Sequence, residues 1–223
     1  MGKSMFASLA ATAAAMVVAS GCVFAGPGVK GSGNPRTEAR AHEKFDRVSV
    51  RGVGQINIVI GADHRVTVTA DDNLLPIYTS SVVSGELVLE PSESIQPKTP
   101  IRVEIVMPAL RSASIAGSGD INVSGLAQKE VEFRIAGSGE VTGSGSVETV
   151  STSIKGSGSI RLPDLAARDA AVSIAGSGDT VVNASENLSA SISGSGDVRY
   201  VGNPKNVQKS ISGAGQVAPA EKS

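Results

Sequence analysis

Tryptophan is absent from the 223 residues, and only four Phe and two Tyr are present. A large aromatic core is therefore excluded, as is a row of platforms for stacking sugars or bases. Cysteine occurs once, at Cys22, which rules out an intramolecular disulfide framework and every CxxC metal or redox site. The two histidines, His42 and His64, have no nucleophile at a catalytic motif spacing. No phosphate loop of the form GxxxxGK[ST] and no EF-hand spacing occurs. Charge of one sign is also missing: 20 basic against 21 acidic side chains leave a net charge of −1, with no electrostatic footprint for nucleic acid. From these absences we expect no catalytic constellation, no resident metal and no cofactor.

The single apolar run lies at the N-terminus, from Met5 to Ala19 behind Lys3, and is too short and small-residued for a membrane-spanning helix. It reads as an export signal over residues 1–21. The run closes in "VASGC", which resembles a bacterial lipobox, with Gly21 at the cleavage position and Cys22 as the residue to be lipidated. Ala19 stands where Leu is commonest, and the competing reading is a plain secretory signal cut near Ala25. Acyl chains on Cys22 would hold a soluble domain to a membrane, each buried methylene contributing about 0.8 kcal/mol. Val23 after the cysteine follows the sorting pattern of outer-membrane lipoproteins. Residues 22–44, rich in Gly, Pro and charge and without an apolar period, read as a flexible tether.

Beyond the tether a cassette recurs: "SIAGSGDINV", "RIAGSGEVTG", "SIKGSGSIRL", "SIAGSGDTVV", "SISGSGDVRY" and "SISGAGQVAP". Its first glycine falls at Gly117, Gly137, Gly156, Gly176, Gly194 and Gly213, at spacings of 20, 19, 20, 18 and 19. An earlier copy, "VRGVGQI", carries Gly52 and Gly54, and the interval from Gly52 to Gly117 has room for three further periods with lost glycines. A GSG at 143–145 is out of phase and reads as a local turn. Two residues before the first glycine the side chain is Val50 or one of six isoleucines; four residues after it stand Ile56, Ile121, Val141, Ile160, Thr180, Val198 and Val217. Apolar at even offsets and polar at odd ones is the strand period of two.

Repeats of about 20 residues cannot bury such a face alone, and stacking them makes a continuous aliphatic interior. The expected fold is all-β: a right-handed parallel β-helix, or β-solenoid, over residues 45–217, with a short tail at 218–223. Eight or nine coils at ~4.8 Å each would give a rod about 40 Å long. The stretch from Arg65 to Met107, with longer strands and Pro91, Pro97 and Pro100, should form broader coils or a small sheet at the N-terminal end. A β-sandwich is the competing architecture, but sandwiches rarely show a fixed internal period.

In this frame the cassette is a corner between two strands, with Ser118, Ser138, Ser157, Ser177 and Ser195 stacked along it. The residue that follows runs Gln55, Asp120, Glu140, Ser159, Asp179, Asp197, Gln216. Its variability departs from the calcium-roll nonapeptide, so the acids read as a solvated column. Ser118, Asp120, Ser138, Glu140, Asp179 and Asp197 are the candidate ligand-binding residues. Basic side chains near the cassettes are scattered at Arg134, Lys155, Arg161 and Arg199, which argues against a polysaccharide-active enzyme.

The order "FDRVSVRGVGQINIVIG", "VTVTADDNLLPIYTSSVVSGELVLEP", "IRVEIVMPALRSASIAGSGDINV" and the following GSGD-like repeats resembles the family described as "putative auto-transporter adhesin, head GIN domain". Asp72-Asn73-Leu74, Gly85-Glu86-Leu87 and Pro108-Ala109-Leu110 carry the match as much as the glycines do. The resemblance implies a β-helical fold, a role at the bacterial cell envelope, on the periplasmic or outer side, and no catalytic residues. The expected function is a lipid-anchored, non-catalytic binding or adhesion module whose partner is a cell-surface glycan or an envelope protein. The alternatives are an envelope structural protein forming homo-oligomers through its coil ends, and a polysaccharide-active β-helix enzyme.

Overall fold

The computed structural model describes residues 28–220, and within them every regular element is a strand. The first ten are β1 (Val29–Lys30), β2 (Pro35–Arg40), β3 (Arg47–Gly52), β4 (Gln55–Ile60), β5 (Arg65–Asp71), β6 (Tyr78–Val83), β7 (Glu86–Pro91), β8 (Ile95–Gln96), β9 (Arg102–Met107) and β10 (Ser112–Gly117). Four long strands follow, each bent through a corner: β11 (Asp120–Gly137), β12 (Glu140–Gly156), β13 (Ser159–Gly176) and β14 (Asp179–Gly194). β15 (Val198–Val201), β16 (Asn206–Gly213) and β17 (Val217–Pro219) end the fold.

From β10 onward successive strands pair in parallel, cassette on cassette: Gly117 opposite Gly137, then Gly156, Gly176, Gly194 and Gly213. This is a β-solenoid with coils of about 20 residues, and the chain makes five continuous turns between Gly117 and Gly213. The parallel ladders leave no place for the sandwich. Alternation puts Ile115, Ile135, Ile154, Ile174 and Ile192 in one buried column, and Ile121, Val141, Ile160, Thr180 and Val198 in another. Phe133 is the one large ring in the repeats' interior. It fits because its column neighbour is Ala113 and because Gly143, 3.9 Å away at the position of a Cβ, has no side chain.

The cassette is a corner, and its two glycines serve different purposes. The first glycine of each copy has φ between 105° and 140°, from Gly52 to Gly213, a region that L side chains rarely adopt. The following residue then donates its backbone N–H to the equivalent glycine carbonyl one coil back, as Ser195 does to Gly176 at 2.9 Å. The second glycine faces inward, and the γ-methyl of an isoleucine one coil back fills its empty side-chain space: Ile174 lies 3.0 Å from where a Gly196 Cβ would be. The hollow that two glycines would leave in a thin core is thus occupied. The out-of-phase GSG lies in the other bend of the coil, where the register shifts and Gly145 has φ 132°.

Two expectations need correction. No further periods lie between Gly52 and Gly117: these glycines are direct neighbours, with β3 paired to β10 and β4 to β11. The intervening chain leaves the stack, forms antiparallel pairs β6–β7 and β5–β9, and returns to place β7 beside β3 and β9 beside β4. β6 and β7 meet as a hairpin and β5 pairs with β9 across the excursion, so none of them needs a cassette, which is why the count of eight or nine consecutive coils falls to five turns plus two layers added out of chain order. The second correction concerns residues 28–44, part of the expected tether. Here β1 pairs in parallel with β8, and all six residues of β2 pair with β5.

A buried carboxylate fastens this strap. Asp71 is fully buried at the end of β5 and accepts N–H groups of Gly33 (3.1 Å), Lys98 (2.9 Å) and Thr99 (3.3 Å). Gly31 passes so close that a Cβ there would lie 1.8 Å from the carboxylate. Burial pushes the Asp71 pKa upward, but the Thr99 side chain and the three N–H donors outweigh it and hold the carboxyl below its usual range. Ser32 and Asn73 complete the clasp, Ser32 donating its N–H to Asn73 Oδ1 at 2.8 Å and Asn73 Nδ2 donating to the Lys30 carbonyl at 2.9 Å.

Two outcomes are expected. Gly194→Ala places a Cβ 2.1 Å from the Gly176 carbonyl oxygen at φ 136° and should cost about 2–4 kcal/mol in chemical denaturation, whereas Ser195→Ala should be near neutral. Because the folded pKa of Asp71 is depressed, its stabilisation is complete above the unfolded value of about 3.9 and is lost as pH falls through the lower folded value. Amide protection factors at Val29, Gly31 and Gly33 should therefore fall as pH drops below about 4, while those of the repeat core persist.

Candidate functional site

The corner sets the geometry of the outer face, because every cassette releases the chain into the next strand at the same place. The first outward side chains after it form a register-locked column, Gln55, Asp120, Glu140, Ser159 and Asp179, with Asp197 and Gln216 continuing it. Beside it runs a second column, Asn57, Asn122, Thr142 and Arg161. Strand spacing separates neighbours in each column by ~4.8 Å. Gln55, Asn57, Asp120, Asn122, Glu140 and Thr142, with Ile56 and Ile121 below, line an open groove of about 260 Å³.

The six candidate residues do not behave as one set. Ser118 and Ser138 are exposed at the corner, where their backbone N–H groups carry the coil-to-coil bonding. Asp120 and Glu140 share the groove. Glu140 is held by Arg161 at 2.8 Å, Thr142 donates to Asn122 Oδ1 at 3.0 Å, and Arg102 donates to Gln55 Oε1 at 3.4 Å. Asp179 and Asp197 are bound into the frame instead. Asp179 Oδ1 accepts the Asp197 N–H at 3.0 Å, and Asp197 Oδ1 accepts the Gln216 N–H at 3.1 Å, so each carboxylate replaces a carbonyl in the final ladder. The acidic column is therefore an open surface near Asp120 and a structural cap near Asp197. Among the described residues no three His, Cys, Asp or Glu side chains converge as a metal would require. Cys22 lies outside the described residues.

Two further clusters escaped the reading of the sequence. Seven residues before the first glycine stand Thr149, Asp169, Asn187 and Asn206, one above another in a register of their own. Asn187 donates to Asp169 Oδ1 at 2.5 Å and Asn206 to Asn187 Oδ1 at 3.0 Å. The Asn187 amide and the Arg168 guanidinium hold the Asp169 carboxyl below its usual range. This ladder borders a second groove of about 260 Å³. Its signal was present in the same alignment, one strand length upstream of the columns that seemed informative.

The other cluster unites Lys44, Asp46, Arg47, His64 and Arg111 around an open cleft of about 580 Å³. They come together only because β3 inserts beside β10, which no local pattern announces. Asp46 is engaged by both guanidiniums, at 3.6 Å from Arg47 and 3.3 Å from Arg111, and His64 bonds the Phe45 carbonyl at 3.1 Å while standing edge-on to its ring. The acid is thus committed to its basic neighbours. His42 is equally engaged with the Ser80 hydroxyl at 3.0 Å, and burial, reinforced by the adjacent Arg40, lowers its pKa.

The model of the family described as "Putative auto-transporter adhesin, head GIN domain" matches residues 44–204. A structure titled a putative adhesin, from Bacteroides fragilis, is 22% identical, with a TM-score of 0.72 over 86% of this chain and 100% of its own. One from Parabacteroides distasonis, titled a putative lipid binding protein, is 24% identical, with a TM-score of 0.59 over 87% and 100%. A putative adhesin from Parabacteroides merdae is 20% identical, with a TM-score of 0.55 over 86% and 99%. At these identities the likeness shows a shared fold. No curated protein matches the chain.

The division of the acidic column has a measurable consequence. Asp197→Ala should destabilise the last turn by about 1–2 kcal/mol and release the Gln216 amide to hydrogen exchange, while Asp120→Ala should leave stability unchanged.

Proposed function

The chain belongs to the head GIN domain family of auto-transporter-adhesin-like proteins, and on that premise we propose that it is a lipid-anchored binding module of the bacterial cell envelope without catalytic activity of its own. The observation that supports this reading most directly is the pair of register-locked columns around Asp120 and Asn122. Amide, hydroxyl and carboxylate groups recur there along a rigid face at the pitch of the coils. Such an array suits a hydrated, repetitive partner such as a surface glycan, contacted through hydrogen bonds. Lacking aromatic platforms, it would bind each sugar weakly and gain strength from many contacts in a row. Cys22 is the proposed point of acylation, and an outer-membrane lipoprotein is the localisation that the residues around it favour.

Assembly of copies through the C-terminal coil end has one observation in its favour: Ile211, the last member of the isoleucine column, is 42% exposed. The same end is blunted against strand addition. Lys209 occupies the column position of Phe133 and Val172 and donates its ammonium to the Val217 carbonyl at 2.7 Å, and β17 ends in Pro219. A polysaccharide-active enzyme would need an acid and a base free to move protons. In the cleft, Asp46 is paired with both Arg47 and Arg111.

A glycan array probed with the soluble domain, residues 28–223, tests the proposal. Binding to one glycan class should fall at least tenfold in the triple variant Asn57→Ala, Asn122→Ala, Thr142→Ala, which keeps the frame, and persist in Asp197→Asn. Equal binding by both variants would remove the groove from consideration.

A further inference from the structure

The strap fixes something that the anchor alone leaves open, namely which part of the solenoid meets the bilayer. A free tether over 22–44 would let the domain tumble at the end of 22 residues or more. Instead the chain is held from Val29 onward. The Val29 N–H donates to the Ser94 carbonyl at 2.8 Å and the Gly31 N–H to the Gln96 carbonyl at 2.9 Å. Gly28 already packs on Ser94, with 2.7 Å between its Cβ position and the serine hydroxyl. Asp71 and Asn73 then close over Lys30 to Gly33 through three hydrogen bonds, the Asp72 N–H adds a fourth to the Asn34 carbonyl, and β2 continues on β5. Only residues 23–27 remain between Cys22 and the body, a reach of at most about 18 Å.

The strap enters beside the loop from Ser92 to Thr99, at the end of the stack formed by β7 and β9 and flanked by β6, β5 and β2. The opposite end, at β16 and β17, lies seven strand spacings away, or ~34 Å. We propose that this N-terminal end, with the Ser92–Thr99 loop, is apposed to a lipid surface and that the C-terminal coil end points away from it. The Asp71 clasp is the device that sets the orientation. The inference rests on acylation of Cys22. It makes the module a short peg of defined direction whose polar columns run outward from the membrane, where a flexible leash would present them at random.

The test uses the full acylated chain in phospholipid vesicles carrying a bilayer-embedded fluorescence quencher. Acylation consumes the one native cysteine, so a dye can be placed singly at Glu93→Cys or Ser212→Cys, both exposed. The dye at 93 should be quenched at least threefold more than the dye at 212. Gly31→Val, which drives a side chain into the Asp71 carboxylate and leaves the repeats untouched, should lengthen the free chain to residues 23–34, about 42 Å, and abolish the difference. Equal quenching at the two positions in a protein that stays with the vesicles would overturn the orientation while leaving the anchor intact. Equal quenching in wild type and Gly31→Val, with 93 still favoured, would overturn the clasp as its cause. A chain that remains in the aqueous phase, with the Cys22 thiol reactive to dye, would overturn the anchor and the orientation together.

Discussion

The close approach of glycine backbones from coil to coil is the contact on which the rest of this protein depends. At each cassette the carbonyl of one glycine occupies the place where a side chain of the next would begin: 2.2 Å for Gly137 over Gly117, 2.3 Å for Gly176 over Gly156, 2.1 Å for Gly194 over Gly176. That approach locks the register, because a slip of one residue would bring a Cβ onto a carbonyl. It also decides how thin the interior can be. With the corner drawn tight and an isoleucine methyl filling the space of the second glycine, a core of Val, Ile and Ala suffices, and the scarcity of aromatics becomes a consequence of coil width.

Much of this was legible because repetition averages out local accident. One copy of the cassette is ambiguous, since a glycine-rich stretch followed by an acid also describes phosphate and calcium loops. Six spaced copies with a fixed isoleucine before and, in all but the Thr180 copy, an aliphatic residue after read as strand, corner and strand. The same averaging separated the variable acidic position from the invariant frame, which is why Asp120 and Glu140 turn outward as expected. Asp179 and Asp197 were grouped with them because a column looks uniform in a sequence. In the fold they meet the end of the ladder, where N–H groups need acceptors that a regular coil would supply.

What stayed hidden has one physical origin: non-local closure. Periodicity predicts that consecutive repeats are neighbours, so the interval between Gly52 and Gly117 reads as three missing coils. The chain instead makes an excursion through antiparallel pairs and returns one level further out, leaving β3 and β4 between β7, β9 and the repeats. The cleft at Asp46 follows from that insertion, since Arg47, His64 and Arg111 meet only across it. The strap was invisible for a related reason. Residues 28–40 have too little apolar content to signal a strand, and their order comes from a distant carboxylate and from a partner strand, β5, that supplies the missing backbone bonds.

The two ends of the stack solve the problem of an open solenoid by different means, and the difference bears on what each end can do. At the N-terminal end the β6–β7 hairpin, the β5–β9 pair and the strap cover the first coil with structure, at the cost of burying one carboxylate whose hydrogen bonds must all be met. At the C-terminal end the described residues change chemistry instead: the column that reads Phe133, Thr152, Val172 and Ala190 continues to Lys209. A charged side chain in an inward position makes continuation by another strand unfavourable, because its ammonium would lose water without an assured partner. Tyr200 and Val207, both half-buried, taper the core beside it. A covered end can be pressed against another surface, whereas an end stopped by charge is suited to face water. The polar columns between them then present their side chains along a direction that the fold itself defines.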